Sequence, residues 1–253
     1  MSTRLTFGLV GSPQARTRFD DLAAWMKEAE TLDLVLKSIK SYKDLAASVR
    51  EGSSDIAWLP PVAYAWLAEA VTPLGSIVRE GKTTYGAALV VRKESEIKTL
   101  DDLNEVKAGW VDPWSAAGYV IPRLEIAKAG IKLHKAFKSE KFYGTHTGAL
   151  GALTDGECDF VGTYDGAWGD RDDIRVLARF DDIPNDVIAV RRNLSPAEYE
   201  LALKAFRDAC LDEKGRPLVQ AVFDGDELRE TLDASHESLR LAYEKGIANG
   251  LFD

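Results

Sequence analysis

The sequence predicts an α/β fold of two lobes, and two observations lead to this prediction. Short apolar runs of strand character alternate with amphipathic runs of helical period along the 253 residues, which is typical of mainly parallel sheets flanked by helices. Two of the strand-like runs, AALVVRK (87–93) and DVIAVRRN (186–193), look alike, because each is apolar and ends in basic residues. A pair of such strands suits a double hinge. We therefore expect one lobe at 1–88 plus 190–253 and the other at 89–189, with a ligand cleft between them.

Eight segments have the apolar pattern of β-strands, and six have apolar residues at helical spacing. The predicted strands are Leu5–Val10, Leu34–Ser38, Ile56–Leu59, Ala87–Arg92, Ala108–Val111, Phe160–Thr163, Arg175–Ala178 and Val187–Arg191. The predicted helices are Arg18–Thr31, Tyr42–Glu51, Ala116–Ala129, Thr147–Asp155, Pro196–Asp212 and Ser235–Asn249. Because the two types alternate, each lobe is predicted to hold a mainly parallel sheet with helices on its faces.

The composition argues against several classes of protein. The formal net charge is −9, so the chain offers no basic surface to nucleic acid or acidic lipid. Cys158 and Cys210 lie far apart without a CxxC pair, and we interpret both as packed thiols, not as a disulfide or a metal site. No apolar run approaches the roughly 18 residues that span a membrane. We expect no metal, no cofactor, no membrane insertion and a monomer.

The N-terminal residues Met1-Ser2-Thr3-Arg4 lead directly into the apolar run LTFGLV. A secretory signal would need a longer apolar stretch and a small-residue cleavage site. The sequence as written therefore predicts a cytoplasmic protein, and a periplasmic one if a signal segment has been removed.

Five segments, in order, resemble one protein family. They are GSSDIAWLPPVAY (52–64), TYGAALVVRKESEIKTLDDL (84–103), VDPWSAAGYVIP (111–122), FYGTHTGAL (142–150) and DIPNDVIAVRRNLS (182–195). Over about residues 40–210 the chain is similar to the phosphonate-binding components of ABC transporters, which have the type 2 periplasmic-binding-protein fold. The resemblance implies two α/β lobes, a hinge of two strands and a ligand held between the lobes.

The segment 111–122 predicts an anion site at a helix start. A strand ends at Val111, and Ser115 stands where a helix cap is expected. The free N–H groups of the first turn, near Ala116, Ala117 and Gly118, carry partial positive charge from the helix dipole. Such a helix start suits a phosphonate, phosphate or carboxylate group.

The family's pattern at this helix start is similar to S-T-S-G, and the resemblance implies that its three hydroxyls surround the anion. This sequence keeps Ser115 and Gly118 but has Ala116 and Ala117 in place of the other two hydroxyl residues. The ligand therefore either has fewer oxygens at this point or receives its hydrogen bonds from other groups. Trp114, next to the cap, is predicted to form an aromatic wall of the pocket.

His146 stands at or just before another helix start, where the resemblance implies a histidine that donates to the anion. An imidazole can donate one or two hydrogen bonds and titrates near neutral pH. The alternative is a plain capping or surface histidine. His134 and His236 have no such sequence context, and we predict that both lie at the surface.

Four further residues are candidates through the resemblance. Asp186 matches an aspartate that receives the ammonium group of an aminoalkyl phosphonate, and Asp165 lies near an acidic position of the family. A turn aspartate that bonds its own backbone is the alternative for Asp186. Tyr42 and Tyr85 match two tyrosines that close over the ligand, a use that suits a rigid ring with one polar tip.

The sequence thus predicts binding without chemistry. It contains no G-x-S-x-G, no H-E-x-x-H, no Walker A and no dinucleotide fingerprint in context. The expected partners are a small anionic ligand and the membrane subunits of an ABC transporter. Because one fold hosts many functions, two alternatives stay open: a cytoplasmic enzyme that uses His146 and Asp186 as acid–base groups, and a cytoplasmic ligand sensor.

Overall fold

The structure of the protein is a computed structural model that describes residues 2–10, 13–67, 69–230 and 233–252. In chain order, its strands are β1 (Thr3–Val10), β2 (Leu32–Ile39), β3 (Ile56–Leu59), β4 (Val71–Val78), β5 (Thr84–Arg92), β6 (Val106–Trp110), β7 (Phe137–Phe142), β8 (Phe160–Tyr164), β9 (Ile174–Pro184), β10 (Val187–Arg191) and β11 (Glu227–Arg229). The helices are α1 (Pro13–Glu30), α2 (Tyr42–Arg50), α3 (Pro61–Leu67), α4 (Ile121–Lys128), α5 (Leu133–Ala136), α6 (His146–Thr154), α7 (Pro196–Leu211), α8 (Gly215–Phe223) and α9 (Asp233–Ala248).

The chain divides into two units. The first unit comprises Met1–Thr83 and Pro184–His236, and the second comprises Thr84–Ile183 and Glu237–Asp253. The divisions near residues 83 and 184 fall next to β5 and β10, the two strands that the sequence predicts as a hinge. The division after residue 236 falls within α9.

The first unit is built on a six-stranded sheet in the order β11-β4-β10-β3-β1-β2. β1 pairs in parallel with β2 and β3, whereas β10 runs antiparallel to β3 and β4. One face is covered by the apolar sides of α1, α7 and α8. Phe7 of β1 lies at the centre of this core, with its ring centroid 4.8 Å from that of Phe19 and 6.0 Å from that of Phe206.

The second unit is built on a five-stranded sheet in the order β7-β6-β8-β5-β9. β6 pairs in parallel with β7 and β8, and β5 runs antiparallel to β8. The side chains of Val90, Val161 and Leu153 are fully buried in the core between this sheet and α6. The three neighbouring parallel strands β7, β6 and β8 have their carboxyl ends at one edge of the sheet.

The fold class predicted from the sequence is confirmed, but the prediction of mainly parallel sheets is wrong in detail, because both sheets are mixed. Antiparallel pairing needs no crossover helix between the paired strands. β10 enters the first sheet after a long excursion through residues 84–183, and β11 follows it by way of α7 and α8. Apolar runs alone do not distinguish parallel from antiparallel partners, since strands buried on both faces look the same in either case.

All eight predicted strands and all six predicted helices are present, with ends that move by a few residues. The eight predicted strands do not include β4, β7 and β11, and the six predicted helices do not include α3, α5 and α8. β7 has the polar sequence FKSEKF with five exposed residues, and β4 contains Pro73 and Gly75, which weaken a strand pattern. Pro217, near the start of α8, similarly weakens the helix pattern of that segment. These elements are stabilised by their neighbours more than by their own residue preferences.

The C-terminal residues belong to the second unit, whereas the sequence prediction assigns 190–253 to the first lobe. Arg123 is buried, and its Nε donates to the carbonyl oxygen of Leu251 over 2.7 Å. Phe252 packs against Tyr119 and Tyr243, with ring centroids 5.6 and 5.0 Å away. A buried guanidinium needs hydrogen-bond acceptors, and the burial of an apolar phenylalanine side chain stabilises the folded state. These contacts therefore fix the end of the chain on the second unit.

Candidate functional site

The carboxyl ends of β6 and β7 bring two helix starts to one edge of the second sheet. The N–H groups of Tyr143 and Gly144, which follow β7, donate to the carbonyl oxygens of Trp110 and Val111 over 2.9 and 2.8 Å. The chain after β7 therefore runs beside the chain after β6. The first of these segments leads to the helix start at Ala116 and the second to α6. This edge is where open α/β sheets hold ligands.

The helix after β6 begins with one π-helical turn, Ala116–Val120, before α4. Ser115 is its N-cap, as predicted: its backbone is extended, and its Oγ accepts from Gly118 N over 3.0 Å. Val120 N donates to the carbonyl oxygen of Ser115 over 3.0 Å, which is the wider spacing of a π turn. The N–H groups of Ala116 and Ala117 precede any intrahelical acceptor. They are the donors that this helix start can offer to an anion.

Gly118 is required by packing, a reason that the motif alone does not reveal. A Cβ atom at this position would lie 2.5 Å from Cβ of Val111 and 2.7 Å from Oγ of Ser115. The carbonyl oxygen of Gly118 accepts from Val111 N over 3.2 Å. The helix start is thus held tightly against the end of β6, and a side chain at residue 118 would push it away.

His146 is the first residue of α6, as predicted for a helix start. Thr145 is the N-cap, and its Oγ1 accepts from Gly148 N over 3.0 Å. The half-buried imidazole has Nδ1 2.8 Å from Oγ1 of Thr163, and its ring meets the edge of Tyr164 with centroids 4.8 Å apart. Burial lowers the pKa of His146 from 6.5 to about 4. The ring is therefore neutral at neutral pH and offers a hydrogen bond without a positive charge.

Asp165 follows β8 at the same edge, but Arg179 already neutralises its carboxylate. Nε of Arg179 lies 2.9 and 3.1 Å from the two carboxylate oxygens. Asp165 N donates to the carbonyl oxygen of Gly86 over 2.8 Å, which places the residue beside the start of β5. Tyr85, at that start, is half-buried. Trp114 is also half-buried, and its backbone N–H donates to Oδ1 of Asp112 over 2.8 Å.

Two of the predicted site residues lie in the first unit. Tyr42 is the half-buried first residue of α2. Asp186 has its Oδ2 2.6 Å from Nη2 of Arg79, and the same guanidinium nitrogen donates to the carbonyl oxygen of Phe223 over 3.1 Å. The cationic partner that a poorly exposed carboxylate requires is thus supplied by the chain itself.

The nine predicted site residues therefore fall into two groups. Those in the second unit are Tyr85, Trp114, Ser115, Ala116, Ala117, His146 and Asp165. Those in the first unit are Tyr42 and Asp186. Within the second unit, the ends of the parallel strands bring together the Ser115 helix start, His146 and Asp165. The ligand contacts of all nine residues stay predictions.

His236 is buried, although the sequence analysis predicts that it lies at the surface. The prediction of a surface position is correct for His134 but wrong for His236, of which only 3% is exposed. Nε2 of His236 lies 3.1 Å from the carbonyl oxygen of Asn185, and its ring meets the edge of Tyr64 at 4.8 Å. The amide nitrogen of Asn185 in turn donates to the carbonyl oxygens of Ile77 and Lys82. These partners are distant in the chain, so no local pattern announces them.

Thr163 is a second residue that the sequence analysis missed. It is fully buried on β8, and it is the hydrogen-bond partner of His146 Nδ1. Its position near the end of a predicted strand beside a candidate ligand edge is the only sequence signal that could have drawn attention to it.

The described residues contain no group of three or more histidine, cysteine or acidic side chains placed to hold a metal ion. Cys158 and Cys210 are both buried free thiols, as predicted. Across the part of the chain that the structure describes, no helix is both long and apolar enough to span a membrane.

The fold is that of the type 2 periplasmic binding proteins. Three features define this class here: both units are mixed α/β, the chain leaves the first unit and returns to it, and helices start at the ends of the strands. Within that class, the family model described as "ABC transporter, phosphonate, periplasmic substrate-binding protein" matches residues 10–235. The chain belongs to this family. The resemblance seen in the sequence is thereby confirmed.

Individual relatives agree with this assignment. The phosphate-import protein PhnD of Mycolicibacterium smegmatis is 24% identical over 168 residues, which cover 61% of this chain and 52% of that protein. The chain thus matches about half the length of this curated relative. A binding-protein component of an ABC phosphonate transporter from Pseudomonas aeruginosa superposes with a TM-score of 0.84 and 18% identity, covering 98% of this chain and 89% of that one.

The structure of PhnD1 from Prochlorococcus marinus in complex with methylphosphonate superposes with a TM-score of 0.83 and 12% identity. The superposition covers 98% of this chain and 99% of that one. At these identities, the two solved structures establish the likeness of the fold.

Proposed function

We propose that this protein binds a small phosphonate- or phosphate-like anion at the carboxyl ends of β6, β7 and β8, as the solute-binding component of an ABC-type uptake system. The observation that carries the proposal is the meeting of two capped helix starts, at Ser115 and Thr145, on neighbouring parallel strands. Each helix start presents N–H groups that have no intrahelical acceptor. Together they form a surface suited to an oxyanion.

The donors of this site are neutral. The backbone N–H groups of Ala116 and Ala117 are joined by the hydroxyl of Ser115, whose oxygen accepts from Gly118 and whose hydrogen can still be donated. His146 adds an uncharged imidazole. Hydrogen bonds from neutral donors to an anion are charge-assisted and stronger than neutral pairs. The site therefore does not need a lysine or arginine, and these local donors can hold an anion although the overall charge is −9.

Ala116 and Ala117 narrow the choice of ligand. Where the family pattern has hydroxyl residues, this chain has two buried methyl groups. Fewer hydroxyl donors suit an anion that needs fewer hydrogen bonds at this end or one that receives them from the backbone N–H groups and His146. The names of the M. smegmatis relative and of the P. marinus complex, which refer to phosphate and methylphosphonate, support this class of ligand.

The contacts of the candidate acid–base groups argue against an enzyme. His146 has a threonine hydroxyl as its partner, and Asp165 and Asp186 are each paired with an arginine. A general base needs a carboxylate or imidazole poised to take a proton near neutral pH. Neither the ion-paired carboxylates nor the neutral His146 ring, whose pKa is about 4, fits that role. Membership of a transport family points the same way.

Calorimetry and thermal unfolding with defined anions test the proposal. We expect methylphosphonate or phosphate to stabilise the protein by about 2.7 kcal/mol at a concentration 100-fold above its dissociation constant, whereas glucose and glycine have no effect. The variant H146A should bind the anion about 1.5–3 kcal/mol more weakly, because a charge-assisted hydrogen bond is lost.

The matched control is H134A, since His134 is exposed on a short helix of the same unit. This variant should bind like the natural chain. A response to neutral solutes only, or equal losses in the two histidine variants, would rule out the proposed site. Light scattering of the purified protein tests the predicted monomer separately, because one site per chain gives a stoichiometry near one in any oligomer.

A further inference from the structure

Thr163 makes one hydrogen bond through its side chain, and that bond goes to the candidate ligand histidine. The residue is 0% exposed, and its Oγ1 lies 2.8 Å from Nδ1 of His146. Among the described residues, no other side chain or carbonyl group is bonded to this hydroxyl. The family motif that includes His146 does not include Thr163, and neither the motif nor the comparisons give it a role.

The direction of this hydrogen bond follows from the number of available protons. A threonine hydroxyl has one hydrogen to donate and two lone pairs to accept with. If Nδ1 carried the ring proton, it would donate to Oγ1, and the buried hydroxyl hydrogen would have no acceptor. A buried donor without a partner is destabilising. If the hydroxyl donates to Nδ1, both groups are satisfied. Nδ1 is then the acceptor, and the single proton of the neutral ring sits on Nε2.

We infer that Thr163 is a positioning residue that fixes His146 as its Nε2–H tautomer, so that the neutral ring presents a donor to the anion. The assignment of the tautomer rests on the contact with Thr163, and its consequence for binding rests on the proposed function. The opposite tautomer would turn a lone pair toward the ligand. Two lone pairs repel each other, so that tautomer would weaken binding.

Two other features make the tautomer important. The edge contact with Tyr164, at 4.8 Å and an interplanar angle of 66°, helps to set the plane of the ring but leaves open which nitrogen carries the proton. Burial keeps the ring neutral, because it lowers the pKa of His146 to about 4. A protonated imidazole would donate from both nitrogens whatever its surroundings, whereas a neutral one donates from one nitrogen only. Thr163 decides which one.

Nitrogen-15 NMR of the ligand-free protein tests the assignment directly. In histidine-labelled protein at pH 7.5, the His146 signals, identified by their loss in H146Q, should show a protonated Nε2 and an unprotonated Nδ1. The isosteric variant T163V lacks the hydroxyl and should show a mixture of tautomers. The variant T163S keeps the hydroxyl and should restore the single tautomer.

A protonated Nδ1 in the natural chain would overturn the inference, and so would an unchanged tautomer in T163V. If T163V does not fold, T163A gives the same comparison, because it also lacks the hydroxyl, and an unchanged tautomer in that variant would overturn the inference equally. A general loss of packing at residue 163 would change stability in both variants, but it would not restore the tautomer selectively in T163S.

Binding of methylphosphonate gives the second readout. Calorimetry should show affinity about three- to tenfold weaker in T163V, the equivalent of one net hydrogen bond, and less than twofold weaker in T163S. Equal affinity in all three proteins would contradict the proposed consequence for binding. If the natural chain binds no anion but shows the Nε2–H tautomer, the proposed function fails while the tautomer assignment is upheld.

Discussion

The two units hold their polar side chains in different ways. In the first unit, charged groups are paired with each other: Asp186 with Arg79 at 2.6 Å and Asp55 with Arg191 at 2.8 Å. At the candidate edge of the second unit, Asp165 is likewise paired with Arg179, but the groups that can donate to an anion are neutral: the Ser115 hydroxyl, the His146 imidazole and the first backbone N–H groups of the helices.

This difference shows why residue type alone does not identify a binding group. Asp186 has the chemistry to receive an ammonium group, but its charge is already balanced by a residue 107 positions away in the chain. The helix start at Ser115 contains no charge, but the first N–H groups of a helix lack acceptors by geometry. A donor that the fold leaves without a partner is a better indicator of a binding site than a charge that the fold neutralises.

The largest loss of stability that we expect comes from adding a side chain at Gly118, where the helix start of the second unit packs against the end of β6. In G118A, the new Cβ would lie 2.5 Å from Val111 Cβ, which is backbone-proximal and cannot move away. We expect a loss of about 2–3 kcal/mol in the free energy of unfolding, measured with urea, because overpacking forces backbone shifts. Anion binding should be lost together with the stability.

The matched control for this prediction is G151A, in the interior of α6, where a Cβ would meet nothing within 4 Å. That change should stabilise the protein by about 0.5–1 kcal/mol, because alanine loses less backbone freedom on folding than glycine. If both variants had the same stability, the tight contact at Gly118 would not exist.

Breaking the Arg79–Asp186 pair in the first unit is expected to have the next largest effect. The two side chains are 23% and 17% exposed, so R79M leaves a poorly hydrated carboxylate without a partner. We expect a loss of about 2 kcal/mol, less than for a fully buried pair. The exposed pair Arg229–Glu227, with exposed fractions of 45% and 49%, is the control. R229M should cost about 0.5 kcal/mol or less.

The same pair gives a sharp test of the predicted amine site. If Arg79 already satisfies Asp186, then D186N should lower stability without changing the ratio of affinities for aminoethylphosphonate and ethylphosphonate, measured by calorimetry. A selective loss of the amine-bearing ligand would instead support the contact that the family resemblance implies for Asp186. It would also show that the carboxylate serves both the arginine and the ligand.

The smallest effect concerns the pH dependence of stability. Burial lowers the pKa of His146 from 6.5 to about 4, so the unfolded chain binds a proton at this residue more readily than the folded chain does. The stabilisation is fully present above pH 6.5 and is lost as the pH falls from 6.5 toward 4. Because the ring is only half-buried, solvent screening leaves an expected loss of about 1 kcal/mol between pH 7 and pH 5.

Urea unfolding at pH 7 and pH 5 measures this loss. In H146Q the loss should be smaller by about that amount, whereas H134Q, which changes an exposed ring, should behave like the natural chain. If the natural chain, H146Q and H134Q lost the same stability on acidification, the pKa of His146 would not be lowered by folding.

Much of the candidate site could be predicted from the sequence, because it depends on local signals. A serine after a strand-ending Pro113 predicts a helix cap, and Ser115 is one. His146 was placed at a helix start for the same kind of reason, and it is the first residue of α6. The order of strand and helix patterns likewise predicted the α/β class. Each of these inferences uses residues within one or two turns of chain.

Tertiary structure alone decided how distant residues combine. The pairing of Asp186 with Arg79, the hydrogen bond from Thr163 to His146 and the burial of His236 against Tyr64 join residues between 17 and 172 positions apart. The same is true of the attachment of Leu251 to Arg123 and of the polar strand β7, which pairs in parallel with β6. These contacts form because buried polar groups must find partners and apolar groups must leave water. Which partner is within reach depends on the path of the whole chain, and a local pattern of residues does not determine that path.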